Sequence, residues 1–205
     1  MDSMEEKDNK TLDLQKLNAK WQTECTCELR NTATQAVFGN GSADAQIIFI
    51  GEAPGKTEDK TGIPFVGAAG KFLDEMLAEI KLKREDIYIT NIVKYRPPNN
   101  RDPEPAEKAA CRIWLLEELK IIKPKLIVFL GRHAMSNFFP ELKIGEVHGK
   151  LLIKQFNGMS TKYFLPLYHP AAALYDGSMR ETLLTDFKKV PKLLKDIAKR
   201  EENKI

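Results

Sequence analysis

Four short apolar segments, at residues 46–50, 87–91, 126–130 and 163–167, constrain the fold of this chain more than any other feature. Short apolar runs of this kind are typical of strands that are buried on both faces. Helical patterns lie between them, at 71–81, 106–123 and 132–139. Strands that alternate with helices form parallel sheets covered on both sides. The sequence therefore predicts an α/β fold, a three-layer α/β/α sandwich around a central, mainly parallel four-stranded sheet.

Two local signals refine this prediction towards the C-terminus. The turn dipeptide Asn157-Gly158 predicts a hairpin that pairs residues 150–156 with the fourth strand. Ser178, followed three residues later by Glu181, predicts a capping box at the start of a final helix over 178–200. Pro191 is expected to kink that helix.

Composition sets the class of protein. With 205 residues, 42% of them hydrophobic, we expect one domain over residues 1–205, with residues 1–10 as a disordered tail. No apolar run approaches the roughly 18 residues of a membrane span, and the acidic start lacks the pattern of a secretory signal. Three cysteines make a poor disulfide framework and favour a reducing compartment, so we expect a cytoplasmic protein.

Chemically useful side chains follow the predicted strands. The first strand leads into Glu52, the second ends at Asn91, and the fourth leads into His169, while Phe65 lies in the glycine-rich loop after the first strand. Because the carboxyl ends of parallel strands share one edge, these side chains are predicted to meet over one pocket. Taken singly, each also fits a structural role as a turn acid, a strand-end cap, a surface histidine or a core aromatic residue.

Charge gives a weaker indication. The net charge of +3 is too small to indicate a nucleic-acid partner by itself. Basic residues gather after the second strand, at Lys94, Arg96 and Arg101, where we expect contacts with phosphates. A second basic group on the last helix fits an ordinary solvated face.

Three motifs carry a resemblance to a known family. They are GEAPGKTEDKTGIPFVGAAG at 51–70, YITNIVKYRPPNNRDPEP at 88–105 and HPAAAL at 169–174. In this order and spacing the chain resembles the uracil-DNA glycosylases, and within them the family-four branch of archaea and thermophilic bacteria. The resemblance implies a monofunctional DNA-repair enzyme that flips deoxyuridine out of DNA and hydrolyses its N-glycosidic bond. The implied partner is uracil-containing DNA, double- or single-stranded, bound by a monomer that is nucleoid-associated when on DNA.

The same resemblance implies roles for individual residues. Glu52 would hold the attacking water and His169 would stabilise the departing uracil. Phe65 would stack on the base and Asn91 would read its edge, with Ala53 and Glu58 beside it. DNA contacts would come from Lys94, Arg96 and Arg101, from the small residues Gly51, Gly55, Pro170 and Ala171, and from Leu174 with Tyr175, which would fill the gap left by the flipped base.

The cysteines depart from the family pattern. Family-four enzymes usually carry four cysteines that ligate a 4Fe-4S cluster. Cys27 and Cys111 match that pattern, but Glu24 and Tyr95 stand at the other two positions, and Cys25 is one residue out of register. Because such clusters want four thiolates, we favour no cofactor, with Cys25, Cys27 and Cys111 as the remaining cluster candidates. No histidine has zinc-ligand spacing relative to these cysteines either.

Alternative functions stay open from the residues alone. A nucleotide-binding protein is disfavoured because neither common phosphate-loop motif is present and Glu52 would repel a phosphate. A glycosylase for another deaminated base such as hypoxanthine, or a module that binds uracil-DNA without cleaving it, fits the same residues. The joint presence of Glu52, Asn91 and His169 favours cleavage.

Overall fold

The computed structural model describes the backbone of residues 2–202 and the side chains of residues 9–202. The helices and strands are, in chain order, α1 (Asp2–Glu24), β1 (Asn40–Gly41), β2 (Ile47–Gly51), α2 (Lys56–Thr61), α3 (Ala68–Glu79), β3 (Tyr88–Asn91), α4 (Pro105–Ile122), β4 (Leu126–Leu130), α5 (Arg132–Ser136), α6 (Ile144–Val147), β5 (Leu152–Ile153), β6 (Tyr163–Leu167), α7 (Gly177–Phe187) and α8 (Val190–Glu202). Short 3-10 turns lie at Glu28–Asn31, Arg84–Asp86, Pro98–Asn100 and Pro170–Leu174.

The sheet has six strands in the order β1-β3-β2-β4-β6-β5. The four predicted strands form its parallel centre, β3-β2-β4-β6. The prediction of four strands was incomplete, because a two-residue antiparallel strand borders the sheet on each side. One of these, β5, pairs with β6 and confirms the predicted hairpin. The other edge strand, β1, spans only Asn40–Gly41 and carries too little sequence pattern to be predicted.

The apolar side chains form two cores, one on each face of the sheet. Along β2, Ile48 and Ile50 pack in the core that includes Trp21 of α1 and Leu115 of α4. Ile47 and Phe49 face the other core, which the side chains of α3, α7 and α8 complete. This alternation follows from the two-residue period of a strand, and it confirms the predicted three-layer α/β/α architecture.

The two ends of the chain differ from the sequence prediction. Helix α1 begins at Asp2, so residues 2–10 are helical where the sequence suggested a tail, and residue 1 lies outside the described part. At the other end the expected single helix is two helices, because α7 ends at Phe187 and α8 begins at Val190, next to Pro191.

The predicted cap of the last helix also needs correction. Ser178 is not the cap. Asp176 is the N-cap of α7, because its side chain accepts a 2.8 Å hydrogen bond from the backbone N–H of Ser178. Among the helices of residues 2–202, we find none with the length and apolar character to cross a bilayer.

Candidate active site

The carboxyl ends of the parallel strands bring the predicted site residues together. Glu52 follows β2, Asn91 ends β3 and His169 lies two residues beyond β6. They line a cavity of about 430 Å³, a volume typical of small-molecule sites. The other predicted residues that line this cavity are Ala53, Gly55, Glu58, Phe65, Arg101 and Ala171.

Phe65 is held in an unusual backbone conformation. Its φ of +53° lies in the left-handed region, which a non-glycine residue adopts only when its surroundings enforce it. Glu58 Oε1 accepts hydrogen bonds from the N–H groups of Val66 (2.9 Å) and Gly67 (2.7 Å). Arg84 donates to the carbonyl of Phe65. Glu58 therefore shapes the Phe65 loop as well as lining the cavity.

Gly51 allows the side chains of Asn91 and Phe65 to approach each other closely. A Cβ atom on Gly51 would lie 2.4 Å from Asn91 Oδ1 and 2.5 Å from Phe65 Cζ, well inside van der Waals contact. Gly51 thus acts by letting the carboxamide and the ring come together. Asn91 is 1% exposed, and its Oδ1 has no hydrogen-bond partner in the described structure.

Glu52 is a carboxyl group that is largely buried, with a side chain 23% exposed, among several charged side chains. Burial raises its pKa to about 7, with a further contribution from the charge of Asp102, while Lys108 and Arg132 act in the opposite direction. Its Oε1 atom is buried and has no hydrogen-bond partner among the described residues. A carboxylate near its pKa at neutral pH is well suited to accept a proton from water.

His169 is held as a neutral imidazole. Burial lowers its pKa to about 4, assisted by the charge of His133 and opposed by Glu58. The N–H of Ala171 donates to Nδ1 at 3.1 Å, so the proton of the neutral ring resides on Nε2. The ring lies 5.7 Å from that of Phe65, centroid to centroid, at an angle of 36°. The site therefore contains a neutral N–H donor beside an aromatic platform.

The residues expected to contact phosphates differ in their exposure and in their partners. Lys94 does not face solvent: it is 2% exposed, pairs with Glu118 and donates to the Asn91 carbonyl at 3.1 Å. The prediction of Lys94 as a DNA contact was wrong, because the chain after β3 turns this side chain into the core. Arg101 is exposed but makes two hydrogen bonds to Glu107, of 2.6 and 2.8 Å.

The remaining predicted DNA contacts lie at the rim. Arg96 is half-buried and donates to Asn100 Oδ1 at 2.7 Å. In the HPAAAL turn, Pro170 is buried, whereas Leu174 is 43% exposed and the neighbouring Tyr175 is 90% exposed. Two large side chains are thus exposed at the end of the turn that begins after His169, and exposed side chains of this kind suit insertion into a base stack.

Sequence reasoning missed three residues that shape the site, namely Arg84, Asp102 and His133. Arg84, from the turn before β3, donates to the carbonyls of Pro64 and Phe65. His133 lies beside Glu52 and Asp102, with ring nitrogens 3.5 Å from Glu52 Oε1 and 3.1 Å from Asp102 Oδ2. The only signal for His133 was its place directly after the third buried strand, on the same sheet edge.

Glu52, Asp102 and His133 lie close enough together to hold a cation. Ligand atoms of Glu52, Asp102 and His133 all lie within 4.8 Å of one another. However, Arg132 Nε donates to His133 Nε2 at 3.0 Å, and a guanidinium in that place competes directly with a metal ion for the ring nitrogen. This arrangement fits a hydrogen-bonded cluster better than a metal centre.

The cysteines form a separate buried group between α1 and α4. Cys25, Cys27 and Cys111 are free thiols. Hydrogen bonding with Cys111 lowers the pKa of Cys25 to about 7 and lowers that of Cys27, whereas the same contacts raise the pKa of Cys111. Cys27 Sγ donates to the carbonyl of Glu107 at 3.8 Å. Internal partners thus occupy these thiols.

This donor set does not fit a 4Fe-4S cluster. Glu24, at the position of a missing thiolate, has a 56% exposed side chain 3.7 Å from Lys20. Tyr95, at the other position, packs 5.9 Å from the Trp21 ring. Neither residue supplies a fourth thiolate.

Comparison with known proteins agrees with this geometry. Residues 38–197 match the family model described as the uracil DNA glycosylase superfamily. The chain belongs to this superfamily. A type-4 uracil-DNA glycosylase of Archaeoglobus fulgidus is 49% identical over 172 residues, covering 82% of this chain and 86% of the relative. Those of Sulfurisphaera tokodaii (48%; 82% and 78% covered) and Thermotoga maritima (43%; 83% and 90% covered) are similar.

Membership in the uracil-DNA glycosylase superfamily gives the cavity a chemical context. The matched residues include every side chain that lines the cavity, from Glu52 to Ala171. They do not include Cys25 and Cys27, which precede residue 38. The similarity therefore covers the site itself, while the thiol group lies partly outside the matched region.

Proposed function

We propose that this protein is a uracil-DNA glycosylase that flips deoxyuridine out of DNA, hydrolyses the N-glycosidic bond and leaves an abasic site. The observation that carries the proposal is the buried Asn91 Oδ1, an acceptor without a partner in a cavity of about 430 Å³. Buried polar atoms are nearly always satisfied. A ligand that donates a hydrogen bond at this point would satisfy Asn91.

Uracil offers the matching edge. Its N3–H donates to the Asn91 oxygen, and its O4 accepts from the Asn91 amide nitrogen, while Phe65 stacks against the ring. Cytosine presents the reverse pattern, an acceptor at N3 and a donor at N4. It would leave buried polar groups unpaired, and sites of this kind discriminate by about 10⁴-fold or more. Asn91 is thus the specificity residue of the proposed reaction, and Ala53 and Glu58 complete the wall around the base.

Bond cleavage uses the two titratable groups. Water attacks C1′ of the deoxyribose, the C1′–N1 bond breaks, and its electron pair leaves with uracil, where the charge spreads onto O2. The neutral His169 Nε2–H donates towards O2 and stabilises this charge. Glu52 accepts the proton of the attacking water, and its negative charge also stabilises the cationic sugar. Uracil leaves as an anion and takes up a proton from solvent after release, while Glu52 returns its proton to solvent. The other product is an abasic sugar, and no covalent intermediate forms.

Ionisation of Glu52 sets the pH range of this mechanism. Its pKa of about 7 means that the carboxylate forms as the pH rises through neutrality. His169, with its pKa lowered to about 4, is already neutral over that range. The rate should therefore increase from pH 6 to pH 8 with the ionisation of Glu52, and His169 should contribute no second step there.

The rim residues suit a role in holding bent, opened DNA. Leu174 and Tyr175 occupy the space of the flipped nucleotide, and the small residues Gly55, Pro170 and Ala171 let the backbone approach phosphates. Arg96 and Arg101 remain the phosphate contacts from the loop after β3. The enzyme acts as a single-domain monomer on double- or single-stranded DNA in the cytoplasm, associated with the nucleoid when bound.

The proposed enzyme works without a 4Fe-4S cluster. The support is the donor set, because the chain has three cysteines and neither Glu24 nor Tyr95 can supply a fourth thiolate. Packing of Trp21 against Tyr95 and Trp114, at 5.9 and 5.3 Å between ring centroids, joins α1 to α4 instead. The purified protein should be colourless and contain no iron in stoichiometric amount. A brown protein with broad visible absorbance would contradict this.

The activity is tested with labelled oligonucleotides that carry one uracil, hypoxanthine, thymine or cytosine opposite guanine, in duplex and single-stranded form. Alkali after incubation reveals abasic sites as strand breaks. We expect breaks only at uracil, and their loss in the double variant Glu52→Gln, His169→Ala. Cleavage at hypoxanthine instead of uracil would assign a different base. Tight binding of uracil-DNA by the wild type without cleavage would reduce the function to recognition.

A further inference from the structure

His133 occupies a position behind the proposed catalytic carboxylate. It lies in α5, directly after β4, and does not line the cavity that holds the base. It lines an adjoining cavity of about 380 Å³ together with Glu52 and His169. Its side chain is 24% exposed, and its Nδ1 lies 3.5 Å from Glu52 Oε1. His133 is thus next to the reacting groups without reaching the substrate.

The ring is surrounded by charged groups from several elements. Asp102 Oδ2, from the loop before α4, lies 3.1 Å from Nε2, and Arg132 Nε donates to the same nitrogen at 3.0 Å. Lys108 of α4 and His169 of the loop after β6 also interact with the ring electrostatically. Burial lowers the pKa of His133, with Asp102 opposing this shift and Arg132 and Lys108 adding to it.

The hydrogen bond from Arg132 determines which nitrogen carries the proton. An arginine always donates, so Nε2 accepts and the neutral ring carries its proton on Nδ1. That N–H lies on the side of Glu52 Oε1, the atom that has no hydrogen-bond partner. At 3.5 Å the contact is too long for a good hydrogen bond. Such bonds in ligand-free sites commonly shorten when the substrate binds.

We propose that His133 is a positioning residue of the glycosylase site, whose Nδ1–H holds the ionised Glu52 carboxylate towards the attacking water while the hydrogen bond from Arg132 fixes the ring. The inference rests on the proposed uracil excision and assigns a supporting group to its general base. When the base pocket fills, the Nδ1–H completes a hydrogen bond to Oε1. The second carboxylate oxygen is then free to accept the proton of water.

Asp102 has the opposite electrostatic effect on the same carboxylate. Its negative charge disfavours ionisation of Glu52, whereas the His133 N–H favours it. Removal of the Asp102 charge should therefore lower the pKa of Glu52, whereas removal of the His133 N–H should raise it. A purely structural role for His133 would lower stability or rate without moving the pH dependence, so this sign difference identifies the role.

The test measures single-turnover uracil release between pH 5.5 and 8.5 with excess enzyme. His133→Phe keeps a ring of similar size and removes the donor, and we expect a rate about 10- to 100-fold lower, the range for a hydrogen bond to a charged group. Its acidic limb should move to higher pH. His133→Gln keeps an N–H donor and should recover much of the rate. Asp102→Asn should move the acidic limb to lower pH.

Controls separate the competing explanations. His148→Gln makes the same replacement at a histidine bonded to Asp186, away from Glu52, and should retain the wild-type pH profile. Because the chain has three histidines, their ring signals can be followed by NMR, and Asp102→Asn should lower the pKa of the His133 signal. EDTA should leave the wild-type rate unchanged. Inhibition by EDTA that Mn²⁺ or Zn²⁺ reverses would instead assign a metal ion to this cluster.

Two results would overturn the inference. One is His133→Phe at the wild-type rate with an unmoved acidic limb. The other is a slower rate in both His133→Phe and His133→Gln with no change in pH dependence, which would mark a structural residue. If the wild-type protein releases no uracil at all, the proposed function fails first and this inference falls with it, so the two failures are distinguishable.

Discussion

Replacing Glu52 with glutamine should make the protein more stable while making it a poorer enzyme. Glu52 Oε1 is buried without a hydrogen-bond partner, and burial raises the pKa of the carboxyl group from 4.5 to about 7. Each pKa unit corresponds to about 1.4 kcal/mol, so the ionised side chain lowers the free energy of unfolding by at most about 3 kcal/mol. Glutamine keeps the shape and carries no charge.

The sign of the pH dependence follows from linkage. Below pH 4.5 the carboxyl group is protonated in both the folded and unfolded states, so Glu52→Gln should leave stability unchanged. As the pH rises towards 7, the unfolded state releases the proton first, and the wild type loses stability relative to the variant. Above pH 7 the difference is complete and constant. For a chain of this size about 3 kcal/mol corresponds to roughly 6–12 °C in melting temperature.

The assay compares urea unfolding of wild type and Glu52→Gln at pH 5, 6.5 and 8, with uracil release measured on the same samples. Glu85→Gln, at a 73% exposed side chain, is the matched control and should change stability by only a few tenths of a kcal/mol. We expect Glu52→Gln to release uracil about 100-fold more slowly at pH 8. A variant that is no more stable than wild type at pH 8, or equally stabilised at every pH, would refute the reasoning.

Four further variants test other parts of the site. Phe65→Ala should weaken capture of the flipped base by about 1–3 kcal/mol, measured as affinity for uracil-DNA relative to undamaged DNA. Asn91→Asp should slow uracil release, because a carboxylate lacks the donor that O4 needs, and its protonated form should admit cytosine; unchanged release would remove Asn91 from the pocket. Arg96→Ala should reduce the slope of log affinity against log salt by about 0.9 on duplex DNA. Lys94→Met should leave that slope unchanged but lower the free energy of unfolding by roughly 3–5 kcal/mol, since it leaves Glu118 buried without its partner.

The central sheet could be predicted because each of its strands is a continuous apolar run. The helices between them indicate that the strands are parallel, and the shared edge then places Glu52, Asn91 and His169 together. The edge strand β5 was predicted from its turn, but β1 could not be, since the two residues Asn40–Gly41 pair through backbone atoms alone. Edge pairing of this kind leaves no hydrophobic pattern in the sequence.

The burial and the partners of individual charged side chains could not be predicted from the local sequence. Lys94 follows Asn91 by three residues, in a segment that looks like an exposed basic loop. Its direction is set by Glu118, on the second half of α4, which provides the buried counter-charge. His133 and Asp102 likewise meet across two different strand-end loops. Contacts of this kind depend on tertiary structure, and no spacing rule links the partners.

Unsatisfied polar atoms are concentrated where the substrate is expected to bind. Among the described residues three buried side-chain atoms have no hydrogen-bond partner, and two of them, Glu52 Oε1 and Asn91 Oδ1, belong to residues that line the proposed base pocket. A few ångströms away, the buried Lys94 has its full set of partners in Glu118, Thr90 and the Asn91 carbonyl. The fold can therefore satisfy buried charge at this sheet edge, and it leaves these two acceptors open.

Open acceptors make the substrate part of the polar network. The N3–H of uracil would satisfy Asn91, and the His133 Nδ1–H would satisfy Glu52 Oε1, which leaves the second carboxylate oxygen for the attacking water. A base that lacks a donor at N3 leaves the Asn91 oxygen buried and unpaired, at a cost of about 1–3 kcal/mol from this atom alone. The same open acceptors that weaken the free protein thus provide discrimination against cytosine and a place for the nucleophile, which links the stability of Glu52→Gln directly to its loss of catalysis.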